Sequence, residues 1–314
     1  MAVYLITGGA GFIGSHIAEA LLEEGDHEIR IYDNLSSGYT KNIAHLSNRV
    51  TFIEADVRDS DALSSAMQGV DYVFHEAALV SVIESVRLPR DNHEINLTGT
   101  LNVLEASKNA GVKRVVLASS ASIYGNDPTL PKKESMRPQP ESPYGLAKIG
   151  KEYYAHIFST LYNLPVVALR YFNVYGPRQD PKSSYSGVIS IFVDRVIKKN
   201  AITIFGDGQQ SRDFIFVKDV AKVNLLAMHA SNIKGGEAFN VATGQSVNLL
   251  DLLKTIQNIE GTQITPTFAP ERAGDIRFSS ADISLTQSVL GFTPNYTLSE
   301  GLTELLAYCK TIKP

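Results

Sequence analysis

The 314-residue sequence lacks several features that define whole classes of protein. It has a single cysteine, Cys309, so no disulfide can form within the chain, and a reducing compartment such as the cytoplasm is expected. A formal net charge of −4 provides no basic stripe for nucleic acid and no polybasic patch for a membrane. No apolar run approaches a membrane-spanning length, and no basic segment of a signal peptide precedes the strand-like residues 3–6. Histidines and carboxylates form no group with metal-ligand spacing, so no metal is expected.

The first 35 residues alternate between strand and helix patterns around a glycine-rich turn. Residues 3–7 form an apolar run typical of a buried strand, residues 16–24 have helical periodicity, and residues 29–32 form a second strand pattern. Strand, helix and strand in this order make a βαβ unit. A pyrophosphate can bind at the N-terminus of the helix in such a unit, because free N–H groups point outwards there. The pattern therefore predicts a dinucleotide-binding unit.

Three glycines and one carboxylate in this unit predict which dinucleotide binds. Gly8 allows a tight turn, Gly11 lets the backbone approach the pyrophosphate, and Gly14 permits close packing of helix against strand. Asp33 follows Gly14 by 19 residues, where its carboxylate can accept hydrogen bonds from both ribose hydroxyls. A carboxylate there repels a 2′-phosphate, and no arginine immediately follows it. We therefore predict NAD rather than NADP as the cofactor.

The alternation continues along the chain and predicts the fold class. Four further short apolar runs have the pattern of buried strands: residues 50–54, 72–75, 114–118 and 166–169. Helical patterns cover residues 60–68, 95–110, 143–162 and 188–199, and a further strand is expected at 201–205. This order predicts an α/β protein with a doubly wound parallel sheet of the Rossmann type. We expect residues 1–172 to form the NAD-binding domain and residues 173–314 a smaller mixed lobe for the substrate, with some later segments returning to the first domain.

Small and polar residues follow the predicted strands, where ligands of doubly wound sheets bind. Asp56 follows the third strand and is expected near the adenine. Residues 76–79 follow the fourth strand and include small side chains past which a cofactor can run. Residues 119–125, SSASIYG, place hydroxyl groups near the reacting end. Phe74 and His75 are interpreted as packing residues, because a lone histidine at a strand end is more often a satisfied core residue than a catalyst.

The stretch SPYGLAKIGKEYYAHI contains a candidate acid–base unit. Its helix is expected to begin after Ser142, with Pro143 in the first position. Tyr144 and Lys148 are four residues apart and share one helical face. A free tyrosine has a pKa of about 10, but an ammonium group and the positive ring of oxidised NAD both stabilise its phenolate. With Ser120 sharing the proton, this trio can remove an alcohol proton while hydride leaves the same carbon. The alternative is a chance pair on a solvated helix.

Four motifs occur together in the sequence: TGGAGFIGSH, SSASIYG, YGLAK and RYFNVYGPRQDP. With them the chain resembles the extended short-chain dehydrogenase/reductase superfamily, and within it the UDP-glucose and UDP-N-acetylglucosamine 4-epimerases. The resemblance runs from Ala2 to about Tyr308. It implies that the sugar C4 hydroxyl loses its proton to Tyr144 while NAD takes the C4 hydride. The 4-keto sugar then turns and takes the hydride back on its other face, so that NAD is not consumed.

The resemblance also implies roles for individual residues. The implied catalytic residues are Ser120, Tyr144 and Lys148. The implied cofactor-binding residues are Gly8, Gly11, Phe12, Ile13, Gly14, Asp33, Asn34, Asp56, Val57, Ala77, Tyr144, Lys148 and Tyr171. The implied substrate-binding residues are Ser81, Ser120, Ser122, Tyr144, Asn173, Val188, Arg212, Arg272 and Ser279. The two arginines suit the UDP diphosphate, because their forked donors match phosphate oxygens; the alternative for Arg212 is a surface ion pair with Asp213.

Two features of the sequence bear on the substrate. Related 4,6-dehydratases and UDP-glucuronate decarboxylases carry acidic residues just before VYG, whereas this chain has Ser120-Ala121-Ser122 there. In the family, the position seven residues after the arginine of R-x-G-D gates the sugar pocket, and here it is the small Ser279. This leaves room for a 2-acetamido group, to which Ser81 and Ser122 can hydrogen-bond. We therefore predict UDP-GlcNAc/UDP-GalNAc interconversion with some UDP-glucose activity, unless Ser279 is merely a small turn residue.

Two other functions, and the oligomeric state, stay open at this stage. A UDP-glucuronate 4-epimerase would require a cation for the C6 carboxylate, which the sequence does not identify. A non-catalytic NAD-binding sensor or scaffold would have no need of the intact Ser120–Tyr144–Lys148 trio. The helices near 95–110 and 143–162 resemble those that pair in family dimers, so we expect a homodimer, although the pattern also fits two solvated helices.

Overall fold

A seven-stranded parallel sheet forms the central layer of the protein. The structure is a computed structural model that describes residues 1–180, 187–271 and 277–311. In spatial order the strands are β10 (Ala238–Val241), β6 (Val166–Tyr171), β5 (Arg114–Ser120), β4 (Tyr72–His75), β1 (Val3–Thr7), β2 (Glu28–Asp33) and β3 (Val50–Glu54). Every neighbouring pair in this sheet is parallel. The order β3-β2-β1-β4-β5-β6 is that of a dinucleotide-binding sheet, and the predicted doubly wound sheet is confirmed.

Helices cover both faces of this sheet. In chain order they are α1 (Phe12–Glu24), α2 (Ser60–Ala66), α3 (Val82–Arg87), α4 (Pro89–His93), α5 (Gly99–Ala110), α6 (Pro143–Leu161), α7 (Val188–Ile197), α8 (Val217–His229), α9 (Leu249–Glu260), α10 (Ser284–Leu290) and α11 (Leu298–Thr311). Side chains alternate along each strand, so Tyr4 and Ile6 of β1 face a core shared with α1 and α8. Leu5 faces the opposite core, shared with α2, α5 and α6. Both faces are buried, which explains why the strands have continuous apolar runs.

A smaller set of strands lies beyond the main sheet. β7 (Asn173–Tyr175), β9 (Ser211–Phe216) and β11 (Ser246–Asn248) form a three-stranded sheet, and β8 (Thr203–Phe205) pairs with β12 (Thr267–Ala269). They share a separate apolar core with α7, α9 and α11. The chain leaves this part to add β10 beside β6 in the main sheet. The exact division of the chain into two domains stays a prediction.

Local boundaries differ from the sequence-based expectations in a few places. α1 begins at Phe12, four residues before the predicted start, because Gly11 caps it and small residues in its first turn hide the helical periodicity. The helix expected at 95–110 begins with a π-helical turn at Glu94–Thr98, and the two short helices before it were not predicted. α6 begins as predicted: Ser142 Oγ accepts a hydrogen bond from the Gly145 N–H at 3.1 Å. None of the helices in the described ranges is long and apolar enough to cross a bilayer.

Candidate active site

A cavity of about 1120 Å³ opens at the carboxyl ends of the central strands. Parallel strands all end at this edge, so residues far apart in sequence meet there. Every residue predicted to bind the cofactor lines this one cavity: Gly8, Gly11, Phe12, Ile13, Gly14, Asp33, Asn34, Asp56, Val57, Ala77, Tyr144, Lys148 and Tyr171. Their individual contacts with NAD stay predictions.

The glycine-rich turn between β1 and α1 fits a pyrophosphate. Gly8 has a φ of 70°, and a Cβ added there would lie 2.7 Å from the backbone nitrogen of Ala77. Gly11 caps α1 without a side chain, so no side chain occupies the N–H groups of the first turn. These N–H groups and the positive end of the helix dipole are the donors that a diphosphate requires. The turn therefore leaves space and donors for NAD.

Asp33 lies where β2 ends and is held in place by the backbone. Its carboxylate accepts hydrogen bonds from the N–H groups of Ala10 at 3.0 Å and Leu35 at 2.8 Å. Burial raises the pKa of Asp33, although these two hydrogen bonds act to lower it. A Cβ on Gly38 would lie 2.9 Å from a carboxylate oxygen of Asp33, so the loop after β2 packs directly on it. The carboxylate is thus fixed in position to accept hydrogen bonds from a ribose.

Asp56 occupies the same end of the cavity beyond β3. Its carboxylate accepts hydrogen bonds from Arg58 Nη2 at 2.7 Å and from Asn34 Nδ2 at 2.7 Å. The hydrogen bond from Arg58 is the main reason that the pKa of Asp56 falls to about 2. Asp56 is therefore ionised at neutral pH, and it holds Asn34 at the mouth of the cavity.

The three predicted catalytic residues line the other end of the cavity. Lys148 is 2% exposed, and its Nζ donates a hydrogen bond to the Ala118 carbonyl at 3.0 Å. The same Nζ lies 5.4 Å from the centre of the Tyr144 ring. The Tyr144 N–H donates to Ser85 Oγ at 3.1 Å, and Ser120 Oγ accepts from the Ser122 N–H at 3.2 Å. A phenol, an ammonium and a hydroxyl therefore face one space, which is the set required to move a proton from an alcohol.

A buried ion pair supports this end of the cavity. Arg170 of β6 and Glu152 of α6 make two hydrogen bonds, at 3.0 and 2.8 Å. Ser119 Oγ donates to the same carboxylate at 2.5 Å. This network joins α6 to the ends of β5 and β6, next to Ser120. This network was not predicted from the sequence, although a glutamate on the inner face of a helix and an arginine after an apolar strand run are both visible there.

Glu76 is a further cavity residue that the sequence analysis did not identify as functional. Tyr171 Oη donates to Glu76 Oε1 at 2.8 Å, and Asn224 Nδ2 donates to Tyr171 Oη at 2.8 Å. Burial raises the pKa of Glu76, opposed by the hydrogen bond from Tyr171. The sequence feature that could have identified Glu76 is a carboxylate directly after a buried strand, at the edge of the sheet where ligands bind.

Phe74 and His75 are fully buried, as expected for packing residues. The two ring nitrogens of His75 lie 2.7 Å from Thr7 Oγ1 and 2.8 Å from Thr100 Oγ1. Burial lowers the pKa of His75, and the charge of Lys148 also contributes to lowering it. The histidine is therefore neutral and satisfied within the core.

Three of the predicted substrate residues, from distant parts of the chain, meet at β9. Asn173 Nδ2 donates to the carbonyl of Asp213 at 2.9 Å. Arg212 Nη1 donates to the carbonyl of Ser211 at 2.9 Å, and the N–H of Ser279 donates to that same carbonyl at 3.0 Å. The structure thus brings together a candidate diphosphate ligand and the position predicted to gate the sugar.

The remaining predicted substrate residues are more scattered. Ser81 is buried as the cap of α3, where its Oγ accepts from the Glu84 N–H at 2.8 Å. Ser122 Oγ is buried and has no hydrogen-bond partner within the described part of the chain. Val188 begins α7, and Arg272 lies outside the described residues. Among the described members of the predicted substrate set, only Ser120 and Tyr144 line the large cavity, and all of these substrate roles stay predictions.

Comparisons of the sequence and of the structure with known proteins point to the same family. A family model described as the NAD dependent epimerase/dehydratase family matches residues 4–242. A putative UDP-glucose 4-epimerase of Methanocaldococcus jannaschii is 39% identical over 308 residues, which is 98% of each chain. The solved UDP-N-acetylglucosamine 4-epimerase of Methanobrevibacter ruminantium, in complex with UDP-N-acetylmuramic acid, is 39% identical with a TM-score of 0.94 and 99% of both chains covered. The UDP-glucose 4-epimerase of Thermotoga maritima, solved with UDP-glucose, is 39% identical with a TM-score of 0.93, covering 99% of this chain and 100% of that one.

The chain therefore belongs to the NAD dependent epimerase/dehydratase family. The predicted membership of the extended short-chain dehydrogenase/reductase superfamily is confirmed, and so is the Rossmann-type fold. NAD as the cofactor and an NAD-dependent enzyme as the class of protein are confirmed as well.

Proposed function

We propose that this enzyme inverts C4 of UDP-GlcNAc and UDP-GalNAc, with some activity towards UDP-glucose and UDP-galactose. The coarser prediction, a UDP-sugar 4-epimerase and thus an isomerase, is confirmed by its relatives. The observation that carries the finer proposal is the small Ser279 beside Arg212, both bound to the Ser211 carbonyl of β9. A side chain of this size leaves space for an acetamido group next to the candidate diphosphate site.

The residues at the reacting end can perform the proton transfer. Bound NAD would take the hydride from C4 of the sugar and return it. Tyr144 as phenolate accepts the proton of the C4 hydroxyl, and Ser120 shares that proton by a hydrogen bond. The ammonium of Lys148, fixed by the Ala118 carbonyl, lies close enough to the ring to stabilise the phenolate. When hydride returns, Tyr144 gives the proton back, so the chain itself is unchanged.

An epimerase must also let the keto sugar turn before hydride returns. Beyond Glu76, the cavity wall that follows β4 continues with four apolar residues, Ala77, Ala78, Leu79 and Val80. Apolar side chains make no directional hydrogen bonds to a hexose, so this wall does not fix one sugar face. Asn173 and Arg212 would instead hold the diphosphate while the sugar rotates about its bond to it.

The test compares three substrates and one substitution. Purified protein is incubated separately with UDP-GlcNAc, UDP-glucose and UDP-glucuronate, without added NAD, and the C4 epimers are followed by NMR. We expect UDP-GlcNAc to be converted at least as fast as UDP-glucose. Ser279→Tyr should lower kcat/KM for UDP-GlcNAc by about tenfold or more and spare UDP-glucose, because one misfit group costs on the order of 1–3 kcal/mol. Ser280→Tyr, at the neighbouring and likewise half-buried serine, is the matched control.

Other outcomes would favour the other candidate functions. Conversion of UDP-glucose alone, or an equal loss on both substrates in Ser279→Tyr, would contradict the role of Ser279. Conversion of UDP-glucuronate alone would favour a uronate epimerase. An NAD-loaded protein that converts none of the three would favour a sensor or scaffold.

We further propose that the protein is a homodimer that pairs through α5, the helix expected near 95–110, and through α6, the helix expected near 143–162. Leu146, Tyr153, Ile157 and Leu161 are exposed along this helix. Their spacing of seven and four residues places them in one apolar stripe. We expect light scattering to give twice the chain mass, and Tyr153→Glu together with Leu161→Glu to give monomers. The cytoplasmic location also stays a prediction.

A further inference from the structure

Two loops from distant parts of the chain meet across the nucleotide end of the cavity. Residues 36–39 and 42 of the first loop and residues 178–180 of the second all line this cavity. The first loop follows β2 and the ribose-binding candidate Asp33. The second follows β7, at the start of the smaller lobe. A dinucleotide bound on the glycine-rich turn would therefore lie beneath both.

Direct hydrogen bonds join the two loops. Tyr39 Oη donates to Asp180 Oδ2 at 2.7 Å, and Arg178 Nη1 donates to the carbonyl of Asn42 at 3.2 Å. The first loop is also fixed to the glycine-rich turn, because the Tyr39 N–H and Asn42 Nδ2 both donate to the Ala10 carbonyl, at 3.0 and 2.9 Å. The two loops and the turn thus surround the space on several sides.

Arg178 is held in an unfavourable backbone conformation at this contact. Its φ is 69°, in the left-handed region that costs a residue with a Cβ about 1–2 kcal/mol. Its side chain is only 9% exposed and forms an ion pair with Glu19 of α1. A strained residue that persists because its surroundings hold it in place is a common feature of ligand clamps. Glu19 is not among the residues that line the large cavity.

We propose that residues 36–46 and 176–180 form a strap over bound NAD, and that this strap controls how slowly NAD is released. The strap is also connected to the smaller lobe, because Ser190 Oγ of α7 donates to Gln179 Oε1 at 2.8 Å. Retention of the cofactor suits an enzyme that must return hydride from the same NAD molecule. The strap is built from the loop contacts and the NAD site, so its role does not depend on the identity of the sugar.

The experiment measures NAD release from the holoenzyme. Protein is loaded with isotopically labelled NAD, a large excess of unlabelled NAD is added, and retained label is measured over time by rapid gel filtration. No UDP-sugar is present, so failure of the proposed substrate would not affect the result. Glu19→Gln is the decisive variant, because Glu19 acts on the strap without lining the NAD cavity. Glu28→Gln is its matched control: Glu28 is paired with Arg30 Nε at 2.8 Å, and neither of these residues lines the cavity.

We expect Glu19→Gln to release NAD about fivefold faster and Tyr39→Phe about threefold faster, with Glu28→Gln within about twofold of the wild type. Thermal unfolding by circular dichroism checks that each variant is folded, and Tyr39→Phe removes only a hydroxyl. Wild-type release in both Glu19→Gln and Tyr39→Phe would overturn the proposal. Faster NAD release in Arg178→Met alone would also overturn the proposal, because Arg178 would then act by contacting NAD directly.

Discussion

The two ends of the large cavity are built in different ways. At the nucleotide end, the glycine-rich turn and Asp33 belong to one βαβ unit, and Asp56 and the two loops of the strap lie around them. At the reacting end, Ser120, Tyr144 and Lys148 come from β5 and α6, and the Glu152–Arg170 pair behind them joins the helix α6 to the strand β6. The candidate pyrophosphate site is thus a property of one local turn, whereas the candidate catalytic trio consists of side chains that only the whole fold brings together.

This difference predicts that substitutions at the two ends fail differently. A change at the reacting end should remove turnover and leave NAD in place. A change in the glycine-rich turn should remove NAD, and with it turnover. A substitution at the reacting end that removed NAD as well as turnover would show that the two ends are coupled.

The largest effect is expected for Tyr144→Phe. Without the phenolic oxygen no group accepts the C4 proton, and general acid–base catalysis of this kind contributes on the order of 10³-fold. We expect kcat to fall by about that factor while the NAD content of the purified protein is unchanged. Tyr153→Phe, an exposed tyrosine on the same helix, is the control and should keep full turnover. Loss of NAD together with turnover in Tyr144→Phe would contradict the division between the two ends.

The second-largest effect is expected at Gly8, where a comparison with Gly69 separates a steric clash of an added Cβ from the strain of a left-handed backbone. Gly8 and Gly69 have φ values of 70° and 71°, but a Cβ on Gly8 would meet Ala77 whereas nothing lies within 4 Å of one on Gly69. Both alanine variants should lose about 1–2 kcal/mol of unfolding free energy from the left-handed backbone. Gly8→Ala must also shift the turn, at a further cost of about 1–3 kcal/mol.

The measurement for this pair is NAD affinity by titration calorimetry, alongside urea unfolding. We expect Gly8→Ala to weaken NAD binding by about tenfold to a hundredfold, since 1.4 kcal/mol corresponds to a factor of ten. Gly69→Ala should bind NAD as the wild type does. Equal affinities in the two variants would mean that the close approach of Gly8 to Ala77 is not required for the cofactor.

The sequence was sufficient to predict the sheet, and it placed the candidate cofactor residues around one cavity, because both depend on local patterns. Strand runs, helical periodicity and the spacing of Gly8, Gly11 and Gly14 all lie within short windows, and all the predicted cofactor residues line one cavity. The start of α1 was misplaced because its first turn contains small residues without amphipathic pattern.

The contacts that sequence reasoning missed join residues far apart in the chain. Glu76 and Tyr171 are 95 residues apart, and Tyr39 and Asp180 are 141 apart. A pattern of residue types does not specify which carboxylate meets which donor across such distances. The charged residues were visible in the sequence, but their partners are set by the order of the strands.

The smallest effect concerns a second lysine one turn from Lys148. Lys151 is fully buried, and its Nζ has no hydrogen-bond partner among the residues that the structure describes. Burial lowers the pKa of Lys151 well below its usual value, the charge of Lys148 lowers it further, and Glu76 opposes the shift. In the unfolded chain this lysine binds a proton below a pH of about 10.4, whereas in the folded protein it stays neutral. The free energy of unfolding of the wild type therefore falls as the pH decreases from that value towards neutrality.

Removing this buried amine should consequently stabilise the protein. We expect Lys151→Met to raise the unfolding free energy by about 1 kcal/mol at pH 7, because an unpaired buried donor is replaced by an apolar group of similar length. The gain should shrink at pH 10, because the unfolded chain is only partly protonated at this lysine there and the folded amine forfeits less by staying neutral. Lys254→Met, on the exposed face of α9, should change stability by less than about 0.5 kcal/mol at both pH values. Urea unfolding at the two pH values measures both variants, and a less stable Lys151→Met at pH 7 would mean that the amine is charged and paired in the folded protein. Its turnover should stay near the wild-type rate, since of the two lysines only Lys148 lines the cavity.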